Sequence, residues 1–230
     1  MGEAVALTVI GAADLSPLLA VLAGLEPPAA GEVEWCGLTS IAIQAARTAV
    51  ARYRLEREQR LLTGYLTPSA SLMNNLSLFD NIALPLRYHH GAPPADVSLR
   101  VGRLADLLKL GGEVGRRPAG LPRGVRRRAQ IARALINEPP LLLLDASFLE
   151  VDRESLEIIF STLQLWRSEK HLTILAATYE PLLIVPLVSR LLVLYRGKLL
   201  GSLEGDELKD QGLLKDTTRL LKVLSDKEHG

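Results

Sequence analysis

Residues 121–147 read Leu121-Pro-Arg-Gly-Val-Arg-Arg-Arg-Ala-Gln-Ile-Ala-Arg-Ala-Leu-Ile-Asn-Glu-Pro-Pro-Leu-Leu-Leu-Leu-Asp145-Ala146-Ser147, and this stretch decides the fold. An arginine-rich helical run gives way, past Pro139-Pro140, to four consecutive leucines that end on an aspartate. A short strand that is apolar at every position belongs in a parallel sheet covered on both faces. The triplet Arg126-Arg127-Arg128 reads as the solvated face of the preceding helix rather than as a nucleic-acid contact.

Working outward, apolar strands alternate with amphipathic helices. Upstream, residues 4–10 form a β-branched apolar run that ends at Gly11, and residues 16–25 show helical spacing up to Glu-Pro-Pro. Residues 31–37 alternate between glycines and predict a strand of a side sheet. A charged helix over 52–62 precedes a strand over 64–68 that stops at Pro68. A helical region runs from Leu78 to about Leu110, broken by the loop Gly91-Ala-Pro-Pro, with His89 and His90 placed in that exposed loop. Downstream, a helix over 155–169 lies between the leucine strand and further strands over 172–178 and 190–195. Residues 213–224 predict an amphipathic C-terminal helix. This order is that of a wound α/β core.

Composition sets the bounds. The 230 residues are 48% hydrophobic and 23% charged, with a net charge of +1, which matches an ordinary globular chain and gives no global attraction to nucleic acid. The single cysteine, Cys36, excludes an internal disulfide and reads as a buried, inert thiol. Trp35 and Trp166 read as core or interface anchors. No signal peptide is visible, and the most apolar stretch, residues 182–194, is too short and too broken to span a bilayer.

The block quoted above resembles the signature helix and Walker B strand of ATP-binding cassette (ABC) ATPases, usually written LSGGQxxRxxxARALxxxPxLLLLDEP. Ala176-Ala-Thr-Tyr179-Glu is similar to the switch segment of that family, and Leu194-Tyr-Arg-Gly-Lys-Leu-Leu-Gly-Ser-Leu to the hairpin after it. Residues 69–87, with Phe79-Asp-Asn-Ile-Ala-Leu-Pro-Leu, look like the segment after the Q-loop and are most similar to ATPases of Mce/Mla-type lipid importers. The resemblance implies an α/β fold of the P-loop NTPase (RecA-like) type: a core over 1–74 and 139–212, a helical subdomain over 75–138, and a C-terminal helix and tail over 213–230. Set against the family pattern, the chain begins at the strand entering the phosphate loop, and the preceding N-terminal hairpin is missing.

The resemblance also implies where the nucleotide site would stand. A phosphate loop needs glycines that let N–H groups converge, a Lys for the β/γ-phosphates and a Ser or Thr for Mg²⁺. The equivalent stretch here carries Gly11, Asp14 and Ser16, is two residues short and has no Lys. Pro17 removes a donor, and Asp14 puts negative charge where phosphate would sit. The Q-loop Gln aligns with Pro68, the Walker B Glu with Ala146 and the switch His with Tyr179, which reads as packing at a sheet end. Asp145 and the D-loop Asp152 are kept, Asp145 as a carboxylate capping the next loop. In the signature, Pro122 and Arg123 replace Ser and Gly while Gly124 remains; Arg123 faces a partner's phosphate, the partner's acidic patch, or solvent.

Phosphoryl transfer rests on positioning and charge neutralisation, and these losses predict no catalytic residues, no bound metal and no ATP or Mg²⁺. The expected protein is a non-catalytic ABC transporter subunit, peripheral on the cytoplasmic face of the cell membrane. It would dock on a permease through Leu76, Leu78, Phe79, Ile82 and Leu86 and pair with an ATPase sibling or a second copy of itself, with a lipid as cargo. It would bind no nucleic acid and insert no segment in the membrane. Two other readings stand beside it: a divergent ATPase that binds ATP and hydrolyses it with groups from a partner, and a regulatory module unrelated to transport.

Overall fold

The computed structural model describes residues 2–11, 14–67, 72–145, 148 and 150–228, with only the backbone of His89, His90, Lys227 and Glu228. Strand β1 (Ala4–Ile10) leads to helix α1 (Ser16–Leu22), then to the short strands β2 (Glu34–Trp35) and β3 (Leu38–Thr39), helices α2 (Ser40–Gln44) and α3 (Ala49–Leu62), and β4 (Thr63–Leu66). Three helices follow, α4 (Leu78–His90), α5 (Pro94–Leu107) and α6 (Arg123–Leu135). The chain then returns through β5 (Leu141–Asp145), α7 (Arg153–Lys170), β6 (Thr173–Ala177), α8 (Pro181–Ile184), β7 (Arg190–Tyr195) and β8 (Lys198–Glu204). It ends in α9 (Gly205–Lys209), α10 (Gln211–Lys215) and α11 (Thr217–Glu228).

Six strands form one sheet in the order β4-β5-β6-β1-β7-β8. The first five run parallel and β8 returns antiparallel to β7. The leucine strand behaves as its sequence requires: Leu142, Leu143 and Leu144 are fully buried between β4 and β6. Helix α7 covers the sheet with Ile159, Leu163 and Trp166, and α6 adds Ile131, Ala132 and Leu135. Each fully buried Leu or Ile of this kind contributes about 1.5–3 kcal/mol relative to exposure. Trp35 is also buried and donates its indole N–H to the Leu22 carbonyl at 2.6 Å, fixing the small hairpin to the end of α1.

Four expectations are corrected. Residues 31–37 are not one strand: β2 and β3 pair as a two-residue hairpin around Cys36 and Gly37, whose φ values of 49° and 88° are both left-handed. That is the twist a two-residue hairpin turn demands, and it leaves the Cys36 thiol exposed rather than buried. His89 and His90 belong to α4 rather than to a loop, because the helix runs on until Gly91 adopts the left-handed conformation that ends it. The predicted C-terminal helix is two helices, with Leu213, Leu220 and Leu224 turned inward.

Candidate functional site

Strands β1, β5 and β6 end side by side, and open α/β sheets bind ligands beyond such carboxyl ends. Asp145 closes β5 opposite Ala177 of β6; Tyr179 follows two residues later, and Asp14 and Leu15 lie just before α1. The sequence-derived positions Gly11, Asp14, Ser16, Asp145 and Tyr179 are therefore brought to one end of the sheet. Pro68 and Ala146 lie outside the described residues.

The hydroxyl of Tyr179 accepts from the Leu15 backbone N–H at 3.1 Å and donates to Asp14 Oδ1 at 3.2 Å. The same Asp14 oxygen accepts from the Ser16 backbone N–H at 2.9 Å. Tyr179 is 46% exposed, so its reading as a packing residue is corrected: its ring reaches across to the loop before α1. On the far side, Tyr65 donates its hydroxyl to Asp145 Oδ2 at 3.2 Å, and the Asp145 carboxyl group is 1% exposed.

The crevice is acidic. The hydrogen bonds from Ser16 hold Asp14 below the usual carboxylate range. Burial, followed by the charge of Asp145, pushes the Tyr65 phenol up to about 12, and burial also raises Tyr179. Two carboxylates and two neutral phenols face one another, and the first basic residue of the chain is Arg47. Asp145 is a hard oxygen donor of the type Mg²⁺ selects. Phosphate oxygens would compete with Asp14 and Tyr179 for the N–H groups of Ser16 and Leu15. Asp14 is fully exposed, so turning its side chain away would disturb no core contact. The residues present thus fit Mg²⁺ through Asp145, and fit a phosphate once Asp14 has turned.

The signature-like residues form a second group. Pro122 stands at the N-cap of α6 with no side-chain cap, where the family's Ser would supply one. Arg123 contacts Glu150 in the same chain, both well exposed, so it is engaged within its own surface. Asp152 caps α7 by accepting from the Ser155 N–H at 2.8 Å, and that bond lowers its pKa. Gly124 is buried against this cap: an added Cβ would stand 2.0 Å from Asp152 Oδ2 and 2.1 Å from Ser155 Oγ. The signature-like turn and the D-loop are therefore locked together through a glycine.

The expected docking stripe is corrected. Leu78, Ile82 and Leu86 are 0%, 0% and 2% exposed and form the inward face of α4; Leu76 and Phe79 are half-buried. The apolar residues that α4 turns outward are Leu84 and Tyr88, with Met73 before it. Apolar residues occur on both sides of this helix, so spacing alone does not set its phase. Sequence reasoning also missed Asn81, which is wholly buried. Its side chain accepts from the Met73 N–H at 2.7 Å and donates to the carbonyls of Met73, Leu76 and Ser77 at 3.0, 3.3 and 2.8 Å. Tyr65 was missed as well; its signal was a lone phenol in a strand leading to the same sheet end as Asp145.

The ABC transporter family model matches residues 15–148, more than half of the chain. The methionine import ATP-binding protein MetN of Rhodopseudomonas palustris (strain BisB5) is 33% identical over 80% of this chain and 47% of its own length. The sulfate/thiosulfate import ATP-binding protein CysA of Gloeobacter violaceus is 30% identical over 86% of this chain and 53% of its own. The chain thus spans about half the length of these relatives. Among solved structures, the dimeric ATP-binding cassette MJ0796 bound to ADP and Pi superposes with a TM-score of 0.76 at 22% identity, covering 88% of this chain and 85% of the other. Among the described residues no helix is long and apolar enough to cross a membrane.

These relatives overturn the expectation of a non-catalytic chain without ATP or Mg²⁺. They are named ATP-binding proteins of import systems, in a family that binds ATP with Mg²⁺ and acts as ATPases. Nor do the relatives support a lipid cargo. Fold, motif order and family match agree that this chain belongs to the ABC transporter family.

Proposed function

We propose that the chain is the ATPase subunit of an ABC import system, binding Mg-ATP at the ends of β1, β5 and β6 and completing hydrolysis with groups from a second cassette. The observation that carries this reading is the buried Asp145 carboxylate, held by Tyr65 at a strand end beside the loop that enters α1. Asp145 would hold Mg²⁺, which supplies charge neutralisation for the phosphates. Tyr65 orients that carboxylate. The N–H groups of Leu15 and Ser16 offer donors to an anion once Asp14 and Tyr179 release them. Because this chain has no lysine in the loop and alanine at position 146, the remaining cationic and water-orienting groups come from the partner. The dimeric state of the MJ0796 cassette supports such a pairing.

In this reading, residues 75–138 form a helical subdomain that meets the permease through the outward side of α4. The relatives' methionine and sulfate cargoes favour a small polar solute over a lipid. The test is calorimetric titration of Mg-ATP into the chain alone and into a complex purified with its permease and a second cassette. Binding is expected in both, with turnover in the complex only and loss of binding in Asp145→Asn. A complex that neither binds nor hydrolyses Mg-ATP would refute the proposal.

A further inference from the structure

Between Trp35 and Leu55 the chain carries no aspartate or glutamate, while Arg47, Arg52 and Arg54 fall within that stretch. Most of it faces solvent, as α2 and the first half of α3. One side of α3 is turned inward: Gln59 is wholly buried and donates its amide to the Ala23 carbonyl at 2.7 Å, with Ala51, Leu55 and Leu62 half-buried along the same side. Residues three and four apart are neighbours on a helix surface, so the side turned to solvent presents Val50, Tyr53 and Arg54 together. Val50 and Tyr53 are 63% and 53% exposed, and Arg54 is exposed beside them.

The cations here are not all balanced from within. Arg52 pairs with Glu56 at 3.0 Å across one helical turn, whereas Arg47 and Arg54 form no ion pair with any described residue. Arg47 stands directly before Thr48, the N-cap of α3, and the first turn holds no acidic residue. A helix N-terminus already carries partial positive charge, so a cation beside it is unfavourable unless an anion approaches from outside. The helix needs no such anion to form, because Thr48 accepts from the Ala51 N–H at 3.1 Å. A single exposed apolar residue is ordinary. Two of them on one helix face, with arginines at its start and side, are the pattern of a helix that lies on an anionic bilayer and dips its apolar side chains into the headgroup layer.

We propose that the solvent side of α3 rests on a membrane surface containing anionic phospholipid, with Arg47 and Arg54 facing headgroup phosphates and Val50 and Tyr53 reaching below them. Nucleic acid also offers phosphates, but it gives Val50 no apolar layer to enter. The contact is peripheral, made by side chains of a preformed helix. The lipid is a surface to rest on rather than a cargo, and the contact does not depend on nucleotide. Each arginine near an anionic surface is worth roughly fivefold in affinity, and the Tyr53 ring is of the kind that settles at the membrane–water interface.

The experiment is co-sedimentation of the full chain with vesicles of equal parts phosphatidylglycerol and phosphatidylcholine, and with vesicles of phosphatidylcholine alone. Binding is expected to the anionic vesicles only, and is lost in about 1 M salt, where the screening length falls to roughly 3 Å. Arg54→Glu should weaken it about tenfold or more and Val50→Ser about threefold, with the melting transition retained because both side chains are exposed. The same reversal at Arg100, exposed on α5, should leave binding within about twofold of the parent. The Tyr53→Trp variant should shift its emission to the blue when anionic vesicles are added. No sedimentation with anionic vesicles, equal binding to both vesicle types, equal effects of Arg100→Glu and Arg54→Glu, or no blue shift each overturns the proposal. So does an Arg54→Glu chain that keeps its vesicle binding but no longer associates with its permease, which assigns the face to a protein.

Discussion

Replacing Gly124 by alanine tests whether the signature-like turn is locked to the D-loop by close approach. In an open helix interior the same substitution is favourable by up to about 1 kcal/mol, because alanine loses less backbone freedom on folding. Gly124 is the second residue of α6, where that gain is smaller. Its new methyl would overlap the Asp152 carboxylate and the Ser155 hydroxyl at 2.0 and 2.1 Å. Ser155 is 3% exposed and cannot swing into solvent. Overpacking of this kind costs about 1–3 kcal/mol, and pushing Asp152 off the Ser155 N–H loses a helix cap worth about 1 kcal/mol. The net expectation is a destabilisation of roughly 2–3 kcal/mol. Gly102 provides the internal comparison: it lies inside α5 with nothing within 4 Å of an added Cβ. Gly102→Ala should therefore stabilise, by up to about 1 kcal/mol. Urea unfolding of both variants, analysed at constant m, gives the two signs directly. If Gly124→Ala matches the parent within about 0.5 kcal/mol, a margin ordinary surface changes stay inside, or shifts in the same direction as Gly102→Ala, the packing argument is wrong.

Three further expectations follow from the same physics. Tyr65, raised to about 12 by burial and by the Asp145 charge, should be the late-titrating phenol in an alkaline absorbance titration. Its folded value exceeds the unfolded one, so its contribution to stability is full below pH 10 and disappears as pH rises through 12; Asp145→Asn should bring the transition to lower pH, and no change there would contradict the assignment. Asn81→Ala removes four hydrogen bonds from a buried site and should cost about 2–4 kcal/mol in urea unfolding. Tyr179→Phe releases the Leu15 N–H and one contact on Asp14, so Mg-ATP affinity should rise by about two- to tenfold; weaker binding would mean that the hydroxyl helps to hold the nucleotide.

The sheet was legible because its signals are redundant. Leu141 to Asp145 carries apolar continuity, length and a turn-forming flank together, and the strands at β1, β6 and β7 do the same. Errors arose where a single local feature was overridden by its surroundings. Alternation around Cys36 looked like a strand until the positive φ of two successive residues turned the chain. The docking stripe failed because the run from Leu78 to Leu86 is apolar on two faces, and only packing against neighbouring helices selects one. The crevice was half visible: Asp14, Asp145 and Tyr179 were found by position. The Tyr179 hydroxyl bonds to Leu15 and Asp14 join residues more than 160 positions apart, and no local pattern carries that. Tyr65 was invisible for the same reason, its hydroxyl reaching the Asp145 carboxylate 80 positions away, whereas the Asn81 amide gains its role from the fold of the nearby turn before α4, within eight positions.

The sheet order has a consequence for biogenesis. Strand β1 lies in the middle of the sheet, yet it leaves the ribosome long before its neighbours β6 and β7, to which Ala4 and Val5 pair through Ile174 and Arg190. At about 5–20 residues per second, the nascent segment waits roughly ten to thirty seconds with both edges open. The outer strands β4 and β5 can pair meanwhile, but the middle of the sheet closes only when the last third of the polypeptide arrives. Translation pauses before residue 173 should therefore increase engagement by holdase chaperones, while pauses after Tyr195 should not.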